Sequence, residues 1–486
     1  METKKVTRAD LIQINQYVYE IPDSFRADMR VPARVFTNET MLADILQDRS
    51  LDQLVNVSTL PGIQGYAFAM PDIHQGYGFP IGGVAAMAID QGGVISPGGI
   101  GYDINCGVRL LVANMPYPEI KNKLEQLATE LHTAIPSGVG KGGPLVLSSH
   151  ELNDVLHNGA HSMAKRGYGV ENDLTMCEEQ GRLIHANPEL ISKQARQRGA
   201  DQLGTLGSGN HFLEIQRVTD IYDEQAAQAM GLHKDAVTIM IHCGSRGLGH
   251  QVCTDSVRIF MEKRNEWGIT LPDRELVCAP YQTKEAQDYC GAMAAAANFA
   301  WANRFFIGHN TRKAWQKILG SSADLATVYD VSHNLGKQEN HIINGKPMNV
   351  IVHRKGATRA FGPHTAQTPA AYQEIGQPVL IPGTMGTASY VLTGTSSTVN
   401  TAFGSSCHGA GRRMSRTQAK TKVNAASLRQ ELEQRGIIVR CSSQSGLAQE
   451  APLAYKDIND VVEVVHNAGL AHKVARLEPL AVIKGG

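Results

Sequence analysis

Three histidines stand at the ends of apolar, strand-like segments, where a rigid sheet edge could present them to a shared site. His242 closes one apolar run, His333 closes another, and His211 begins a third. Neutral imidazole is the commonest metal ligand in proteins, and functional side chains often occupy strand ends. A single such histidine would more often be structural, but three of them favour a convergent metal or catalytic site.

A glycine-rich segment supplies a carboxylate and a thiol three residues apart, Asp103 and Cys106. This spacing lets both side chains turn toward one centre, where a thiolate could bridge two metal ions. Cysteine and histidine favour Zn²⁺, whereas a carboxylate with open coordination positions also suits Mn²⁺, so the residues alone leave the metal open. The alternative is a buried free cysteine beside a turn aspartate.

A second glycine-rich segment surrounds His408 and is followed by arginines, among them Arg412. The glycines allow a phosphate to approach the backbone, and guanidinium groups suit bidentate phosphate contacts. A histidine in such a loop can act as a general base or as a nucleophile that forms a phosphoramidate. The small-residue segment at 381–390 is also of an anion-binding type. The alternative is a structural turn beside a solvated basic helix.

The elements that must hold these residues alternate between strand-rich and helical tracts. Strand-and-turn patterns cover 62–112, 210–218, 237–243 and 326–399. Helical periodicity covers 40–47, 120–135, 151–165, 172–185, 188–197, 250–319 with an irregular stretch near 271–282, 424–435 and 457–468. Neither a repeat nor a low-complexity linker separates these tracts. The sequence therefore predicts an α+β fold in one large domain, residues 1–486, with 1–60 as a less diagnostic lead-in.

Composition excludes several classes of protein. Of 486 residues, 42% are hydrophobic and 19% charged, which is typical of a chain with a folded core. Lys plus Arg and Asp plus Glu both total 46, so any surface for nucleic acid must be local. The sequence has neither an apolar run of about 18 residues nor a signal-peptide pattern in its charged first ten residues. Its eight cysteines form no CxxC pair and are expected to be reduced, which predicts a cytoplasmic location without membrane association.

Five motifs follow one another along the chain. They are Gly-Tyr-Asp-Ile-Asn-Cys-Gly-Val-Arg from Gly101, Gly-Ser-Gly-Asn-His-Phe from Gly207, His-Cys-Gly-Ser-Arg-Gly-Leu-Gly-His from His242, Ser-His-Asn from Ser332 and Ser-Cys-His-Gly-Ala-Gly-Arg from Ser406. Together they closely resemble the RtcB family of GTP-dependent RNA ligases, from about residue 61 to the C-terminus. The resemblance implies a single α+β domain whose central β-sheets line a deep active-site cleft, with helices packed outside.

The resemblance also implies roles for individual residues. Asp103, Cys106 and His211 would hold one Mn²⁺, and Cys106, His242 and His333 a second. His408 would attack the α-phosphate of GTP and become guanylylated. The implied nucleotide pocket comprises Asn210, His211, Phe212, Leu213, Glu214, His333, Asn334, Pro382, Gly383, Thr384, Met385, Ser389, His408, Gly409, Ala410, Gly411, Tyr455 and Lys484. The implied contacts to RNA phosphates are Arg246, Lys355 and Arg412.

The function that the resemblance implies is a GTP- and Mn²⁺-dependent RNA ligase of tRNA splicing or RNA repair. It would join 3′-phosphate or 2′,3′-cyclic phosphate ends to 5′-hydroxyl ends, through a guanylylated histidine and an RNA-3′-pp-5′-G intermediate. RNA is the implied substrate and an archease activator an implied partner. One alternative is a two-metal phosphoesterase that acts on RNA ends without nucleotide activation. Another is a non-catalytic RNA-binding protein with the same fold.

The C-terminal tail bears on the choice between ligase and hydrolase. The apolar run Leu480–Ile483 predicts that the tail docks as a short strand and leads Lys484 into the cleft. A compact ammonium there would suit nucleotide binding, which a simple hydrolase does not need. Together with His408, Lys484 therefore favours the ligase.

Overall fold

The computed structural model describes residues 5–441 and 443–485. Within them the strands are β1 (Ile12–Asn15), β2 (Val18–Ile21), β3 (Ala33–Phe36), β4 (Ile63–His74), β5 (Ile81–Ala88), β6 (Val94–Ile95), β7 (Gly107–Pro116), β8 (Phe212–Ile221), β9 (Ala236–Cys243), β10 (Ala279–Pro280), β11 (Leu325–Ser332), β12 (Asn334–Ile343), β13 (Lys346–Lys355), β14 (Ala357–Arg359), β15 (Pro378–Ile381), β16 (Ser389–Gly394), β17 (Ser405–Cys407), β18 (Ile438–Cys441) and β19 (Ala471–Lys484).

The helices are α1 (Glu39–Ile45), α2 (Ser50–Val57), α3 (Tyr117–Ile120), α4 (Leu124–Ala134), α5 (Ser149–Asn158), α6 (Ala160–Lys165), α7 (Asn172–Thr175), α8 (Lys193–Gly199), α9 (Glu224–Ala229), α10 (Arg246–Lys263), α11 (Lys284–Leu319), α12 (Thr398–Ala402), α13 (Arg416–Lys422), α14 (Ala425–Gln434), α15 (Gln444–Gln449) and α16 (Ile458–Asn467). Short 3₁₀ turns occupy several of the connections.

Two large, mostly antiparallel sheets organise these strands. One has the order β1-β2-β3-β4-β5-β13-β12, and the other has the order β11-β7-β9-β8-β19-β16-β15 with β18 beside β19. The pairs β3–β4 and β18–β19 are parallel. This arrangement confirms the predicted α+β class with central sheets. The N-terminal strands β1 to β3 belong to the same sheet as β4, so the lead-in is joined to the rest of the fold.

One edge of the eight-stranded sheet collects the ends of several strands. Because neighbouring strands run antiparallel, the end of β11, the start of β7, the end of β9 and the start of β8 meet there. The register pairs Gly107 with both Ser332 and Cys243, and pairs Phe212 with both His242 and Lys484. Residues adjacent to these positions are therefore brought side by side although the chain separates them widely.

The long helix α11 supports this edge from behind. The Thr283 side chain caps its N-terminus by accepting a hydrogen bond from the Ala286 N–H, and the helix ends at Gly320. Its alanine-rich middle is buried, and the completely buried polar residues of the helix include Asn298, Asn303 and Arg304. Even with 36 residues, α11 lacks the apolar character of a membrane span, as does every other helix of the described chain.

Three predicted helices differ from the structure. In the tract 188–197 the α-helix begins only at Lys193, where the Ser192 side chain caps it, and Pro188–Leu190 forms a 3₁₀ turn. The tract 151–165 is divided into α5 and α6 at Gly159, whose φ of 57° is unfavourable for residues with a side chain. The tract 172–185 is helical only over α7, because Glu179 and Gln180 adopt left-handed conformations. That turn lets the Glu178 carboxylate accept a hydrogen bond from the Ser332 N–H at 2.7 Å. A tertiary contact has overridden local helix propensity here.

Candidate active site

Five side chains meet at the sheet edge as two overlapping groups of potential metal ligands. The donor atoms of Asp103, Cys106 and His211 lie within 4.8 Å of one another, as do those of Cys106, His242 and His333. Cys106 Sγ lies 3.4 Å from His211 Nε2 and 3.2 Å from His242 Nε2. The Nε2 atoms of His242 and His333 are 3.1 Å apart. Cys106 is thus common to both groups, as a bridging thiolate requires.

The loop that carries the carboxylate and the thiol is held by polar contacts at its centre. Asn105 adopts a left-handed φ of 51°, and its carbonyl accepts a hydrogen bond from Arg304 of α11 at 2.7 Å. The Asn334 side chain donates to the Asp103 carbonyl and accepts from the Gly356 N–H. These bonds fix the direction of both side chains before any ligand binds.

The electrostatics of the cluster suit a cation. Burial lowers the pKa values of His242 and His333 well below the ordinary value, so both rings are neutral and can offer lone pairs. Burial has the largest single effect on Asp103 and raises its pKa, but the hydrogen bond to His211 and the charges of His211 and Arg246 together outweigh burial, and the pKa falls to about 2. Burial raises the pKa of the Cys106 thiol to about 12, and a cation bound to sulfur would favour the thiolate. Convergent nitrogen, oxygen and sulfur donors of this kind fit a divalent metal.

His211 shows how the backbone selects the ligating nitrogen. Its Nδ1 lies 2.9 Å from the Leu206 carbonyl oxygen, which can only accept a hydrogen bond. Nδ1 therefore carries a proton, and Nε2 is the nitrogen that faces Asp103 and Cys106; it donates to the Asp103 carboxylate at 2.9 Å, and a bound cation would take the place of that proton. Such bonds to the far ring nitrogen fix the orientation of metal-binding histidines.

His408 lies beside this cluster and is held by an aspartate. Its Nδ1 is 2.5 Å from Asp72 Oδ2, and its ring centroid is 5.0 Å from that of His333. Asp72 is fully buried at the end of β4. Two glycines permit this fit: a Cβ on Gly411 would lie 2.2 Å from the Asp72 carbonyl oxygen, and one on Gly356 would lie 2.9 Å from His408 Cε1. The carboxylate accepts from Nδ1–H and leaves the Nε2 lone pair available.

A cavity of about 1010 Å³ opens above His408. Many of the residues implied above for the metal site, the nucleotide pocket and the phosphate contacts line this cavity. They are Asn210, Phe212, Glu214, His242, Pro382, Gly383, Thr384, Met385, His408, Gly409, Ala410, Gly411, Arg412, Tyr455 and Lys484. Leu213 instead packs into the core on the other face of β8, and Ser389 supports the wall by accepting a hydrogen bond from the Gly383 N–H at 3.1 Å. The structure thus brings most of the predicted pocket together.

Buried charges form one wall of the cavity. Burial raises the pKa of Glu214 to about 8. Burial also lowers the pKa of Lys484, while the carboxylates of Glu450 and Glu214 oppose that effect. The Glu450 carboxylate accepts hydrogen bonds from Arg412 and from the Tyr455 hydroxyl. The wall therefore presents the carboxyl oxygens of Glu214 and Glu450 and the compact Lys484 cation to the cavity.

The three predicted contacts to RNA phosphates occupy different environments. Arg246 donates to Thr205 Oγ1 and lies 3.4 Å from His211 Nδ1, beside the metal-ligand cluster. Arg412 lines the cavity, although its guanidinium is hydrogen-bonded to protein acceptors. Lys355 is buried, and its ammonium donates to the carbonyl oxygens of Tyr77 and Phe79. The geometry therefore favours Arg246 and Arg412 over Lys355 as phosphate contacts.

Sequence reasoning missed three buried polar residues of the site. They are Asp72, Glu450 and Lys456, whose ammonium donates to the carbonyls of Pro71 and Ile73 on either side of Asp72. The polar pair Asp72 and His74 at the end of a mostly apolar strand was a signal for Asp72. The sequence around Glu450 and Lys456 offers no comparable signal.

A comparison with family models decides the family. The model described as tRNA-splicing ligase RtcB matches residues 53–485. The chain belongs to the RtcB family. The match includes all five residues of the metal-ligand cluster, His408, Asp72 and Lys484.

Individual members of the RtcB family are similar over nearly the whole chain. The tRNA-splicing ligase RtcB of Archaeoglobus fulgidus is 52% identical over 478 residues, which is 98% of this chain and 99% of that protein. The protein of the same description from Thermococcus kodakarensis is 51% identical over 478 residues, with 98% and 99% covered. The RNA-splicing ligase RtcB of Mycobacterium tuberculosis is 52% identical over 435 residues, covering 89% of this chain and all of that protein.

Proposed function

We propose that the protein is a GTP- and Mn²⁺-dependent RNA ligase that joins 3′-phosphate or 2′,3′-cyclic phosphate ends to 5′-hydroxyl ends in tRNA splicing or RNA repair. The observation that carries the proposal is the pair of His408 and Asp72, 2.5 Å apart, in the lining of a large cavity and beside the candidate metal-ligand cluster. Family membership and the descriptions of the relatives support RNA joining.

In the first proposed step, His408 acts as the nucleophile. Its Nε2 attacks the α-phosphorus of GTP, a P–N bond forms, and the bond to the pyrophosphate oxygen breaks as pyrophosphate leaves. Asp72 holds the Nδ1 proton, stabilises the positive charge that develops on the ring, and keeps Nε2 aimed into the cavity. The resulting phosphoramidate is reactive enough to pass GMP onward.

The cavity wall supports guanine as the base. Burial raises the pKa of Glu214 to about 8, and N–H donors that bind its oxygens would favour the ionised carboxylate; guanine presents two such donors side by side on one edge. Gln216 donates to Glu214 and to Ser389, at 2.9 and 3.0 Å, so both acceptors are fixed in place. Lys484, whose ammonium donates to the His211 carbonyl at 3.3 Å, would lie beside the phosphates.

Two transfers complete the proposed reaction. An oxygen of the RNA 3′-phosphate, after hydrolysis of any cyclic phosphate, attacks the guanylyl phosphorus and breaks its bond to His408. The 5′-hydroxyl of the second RNA end then attacks the activated 3′-phosphate and expels GMP. Divalent ions held by Asp103, Cys106, His211, His242 and His333 would neutralise charge on the phosphoryl oxygens. Arg246 and Arg412 are the proposed phosphate contacts of the chain itself.

The experiment that tests this function is incubation of the protein with GTP and Mn²⁺, followed by intact-mass analysis and a joining assay. A covalent GMP adduct and joining of 3′-phosphate to 5′-hydroxyl RNA are the expected results. Dephosphorylation of RNA ends without an adduct would instead support the two-metal phosphoesterase. RNA binding without either reaction would support the non-catalytic alternative.

Replacing Asp72 with asparagine should slow guanylylation about 100-fold or more, without unfolding the protein. The amide can donate to Nδ1 and so favours the tautomer that places the proton on Nε2, where it blocks attack. The measurement is the rate of enzyme–GMP formation across a range of pH. Asp90→Asn, at an exposed position, is the matched control. An unchanged rate in Asp72→Asn would show that His408 needs no orienting carboxylate.

Replacing Lys484 with methionine should lower kcat/KM for guanylylation by GTP about tenfold or more. Methionine preserves the backbone pairing of β19 with β8 and removes only the ammonium, so thermal unfolding should change little. RNA that already carries a 3′-guanylate should be joined with a smaller loss, since the first transfer is bypassed. Lys473→Met, on the same strand but at the protein surface, is the control. Guanylylation at the wild-type rate would refute a role for this ammonium.

The proposal extends to the whole chain and its surroundings. The sheet shared by β1 to β5 supports one ligase domain over residues 1–486, of which 1–4, 442 and 486 lie outside the described residues. The eight free cysteines support the cytoplasm as the place of action. RNA ends are the proposed substrate, and the family resemblance adds an archease activator as a proposed partner.

A further inference from the structure

Three aromatic side chains form a cluster immediately beside the metal ligands. The rings of Tyr77 and Tyr102 lie 5.3 Å apart and nearly perpendicular, at 70°. The ring of His250, in α10, lies 4.8 Å from that of Tyr102 at an interplanar angle of 32°. The two tyrosines are half-buried and His250 is exposed. Because one face of His250 rests on Tyr102, its opposite face is available to a further ring.

The segments that hold the candidate metal ligands also hold the aromatic cluster in place. Tyr102 directly precedes Asp103, and the Asp103 carboxylate accepts a hydrogen bond from the Ser245 N–H just before α10 begins. Lys355 fixes the loop of Tyr77 by donating to its carbonyl oxygen at 2.5 Å. The buried Lys355 ammonium thus holds the loop that carries Tyr77 and is not exposed to solvent.

The cluster lies outside the cavity of His408. None of its three residues lines that cavity, although Gln75 and Gly76, which precede Tyr77, do. An exposed cation is close by: the guanidinium of Arg198 donates at 2.9 Å to the side chain of Gln251, the residue after His250. Arg246, at the start of α10 and one helical turn before His250, lies 3.4 Å from His211 Nδ1. Exposed rings with flanking arginines are typical of sites for single-stranded nucleic acid.

We propose that Tyr77, Tyr102 and His250 form a stacking subsite for a nucleobase at one of the two RNA ends. The inference rests on the proposed function, since it concerns the RNA that the ligase would join. The base stacks on the outer face of His250, Tyr102 supports that ring from below, and Tyr77 packs edge-on against Tyr102. Arg198 offers a charge to the backbone phosphate. The adjacent Asp103 places the reacting end of the strand at the metal-ligand cluster.

The test replaces the terminal nucleobase of each RNA end in turn. One substrate carries an abasic ribose at the end of the 3′-phosphate strand, and a second carries it at the end of the 5′-hydroxyl strand. For the wild type, kcat/KM for joining should fall about 5- to 100-fold with one of these substrates, which identifies the strand. His250→Ala should show the same loss with normal RNA and no further loss with the abasic one. His250→Phe, which keeps a flat ring, should retain the wild-type pattern.

Two measurements separate this subsite from the proposed function. Guanylylation by GTP without RNA should proceed at the wild-type rate in His250→Ala, and in the control His150→Ala, an exposed histidine of α5. Fluorescence anisotropy with the normal and abasic RNAs needs no turnover, so it tests the subsite even if no joining occurs. The same abasic penalty in His250→Ala as in the wild type, or no penalty in the wild type, would overturn the proposal.

Discussion

Replacing His408 with alanine is expected to abolish the covalent GMP adduct and all joining of RNA. Removal of a nucleophile costs on the order of 10⁴-fold or more in rate, because no neighbouring group can take over the bond to phosphorus. The neighbouring ring of His333 is completely buried and its Nε2 faces His242, so it is not placed to substitute. Intact-mass analysis after incubation with GTP and Mn²⁺ measures the adduct directly.

The fold should survive this substitution. His408 lies between small residues at the cavity floor, and its ring contributes little to the hydrophobic core. His472→Ala, at an exposed position, serves as a matched control that should form the adduct normally. If His408→Ala still accumulated acid-labile enzyme–GMP, the nucleophile would have to be sought elsewhere.

Replacing Cys106 with alanine is expected to remove both metal ions, and with them all joining activity. Cys106 belongs to both donor groups, whereas His211 and His242 each belong to one. His211→Ala and His242→Ala should therefore each lose mainly one ion. Elemental analysis of protein dialysed against Mn²⁺ gives the number of ions per chain. Because the ligands must be deprotonated, occupancy should also decline as the pH is lowered.

A second buried thiol provides the control for this experiment. Cys278 is completely buried in the hydrophobic core and lies outside both donor groups. Cys278→Ala should thus lose a small amount of stability but no metal. Equal losses of one ion in Cys106→Ala, His211→Ala and His242→Ala would contradict a bridging thiolate.

The members of the candidate metal-ligand cluster could be singled out because each is marked locally. His242 and His333 close apolar strands, and Asp103 and Cys106 share one glycine-rich loop, so periodicity and spacing mark them as candidates before any tertiary contact is known, while their roles as ligands come from the family resemblance. The docked tail was predictable for the same reason, although the strand that carries Lys484 is 14 residues long and not short. Antiparallel pairing of apolar strands then brings these marked ends to one edge.

The supports of the site were not predictable in this way. Asp72 and His408 are 336 positions apart, and no periodicity relates them. Lys355 carries the positive charge expected of a phosphate contact, yet its ammonium donates to two backbone carbonyls. The left-handed turn at Glu179 and Gln180 depends on partners in distant strands, including Lys337, which lies 2.7 Å from Glu179. Tertiary hydrogen bonds determine these side-chain partners and backbone conformations, and they outweigh local propensity.

Three of the buried polar residues of α11 constrain how the chain can evolve. Asn303 donates to the Thr205 carbonyl before His211, Arg304 donates to the Asn105 carbonyl before Cys106, and Asn298 accepts from the Leu183 N–H. Arg304 also binds the Cys243 carbonyl beside His242. Loops that are held by one helix in this way cannot change independently during evolution. A substitution in α11 that suits a change in one loop disturbs the hydrogen bonds to the others. We therefore expect α11 to tolerate fewer inherited substitutions than its distance from the reacting atoms would suggest.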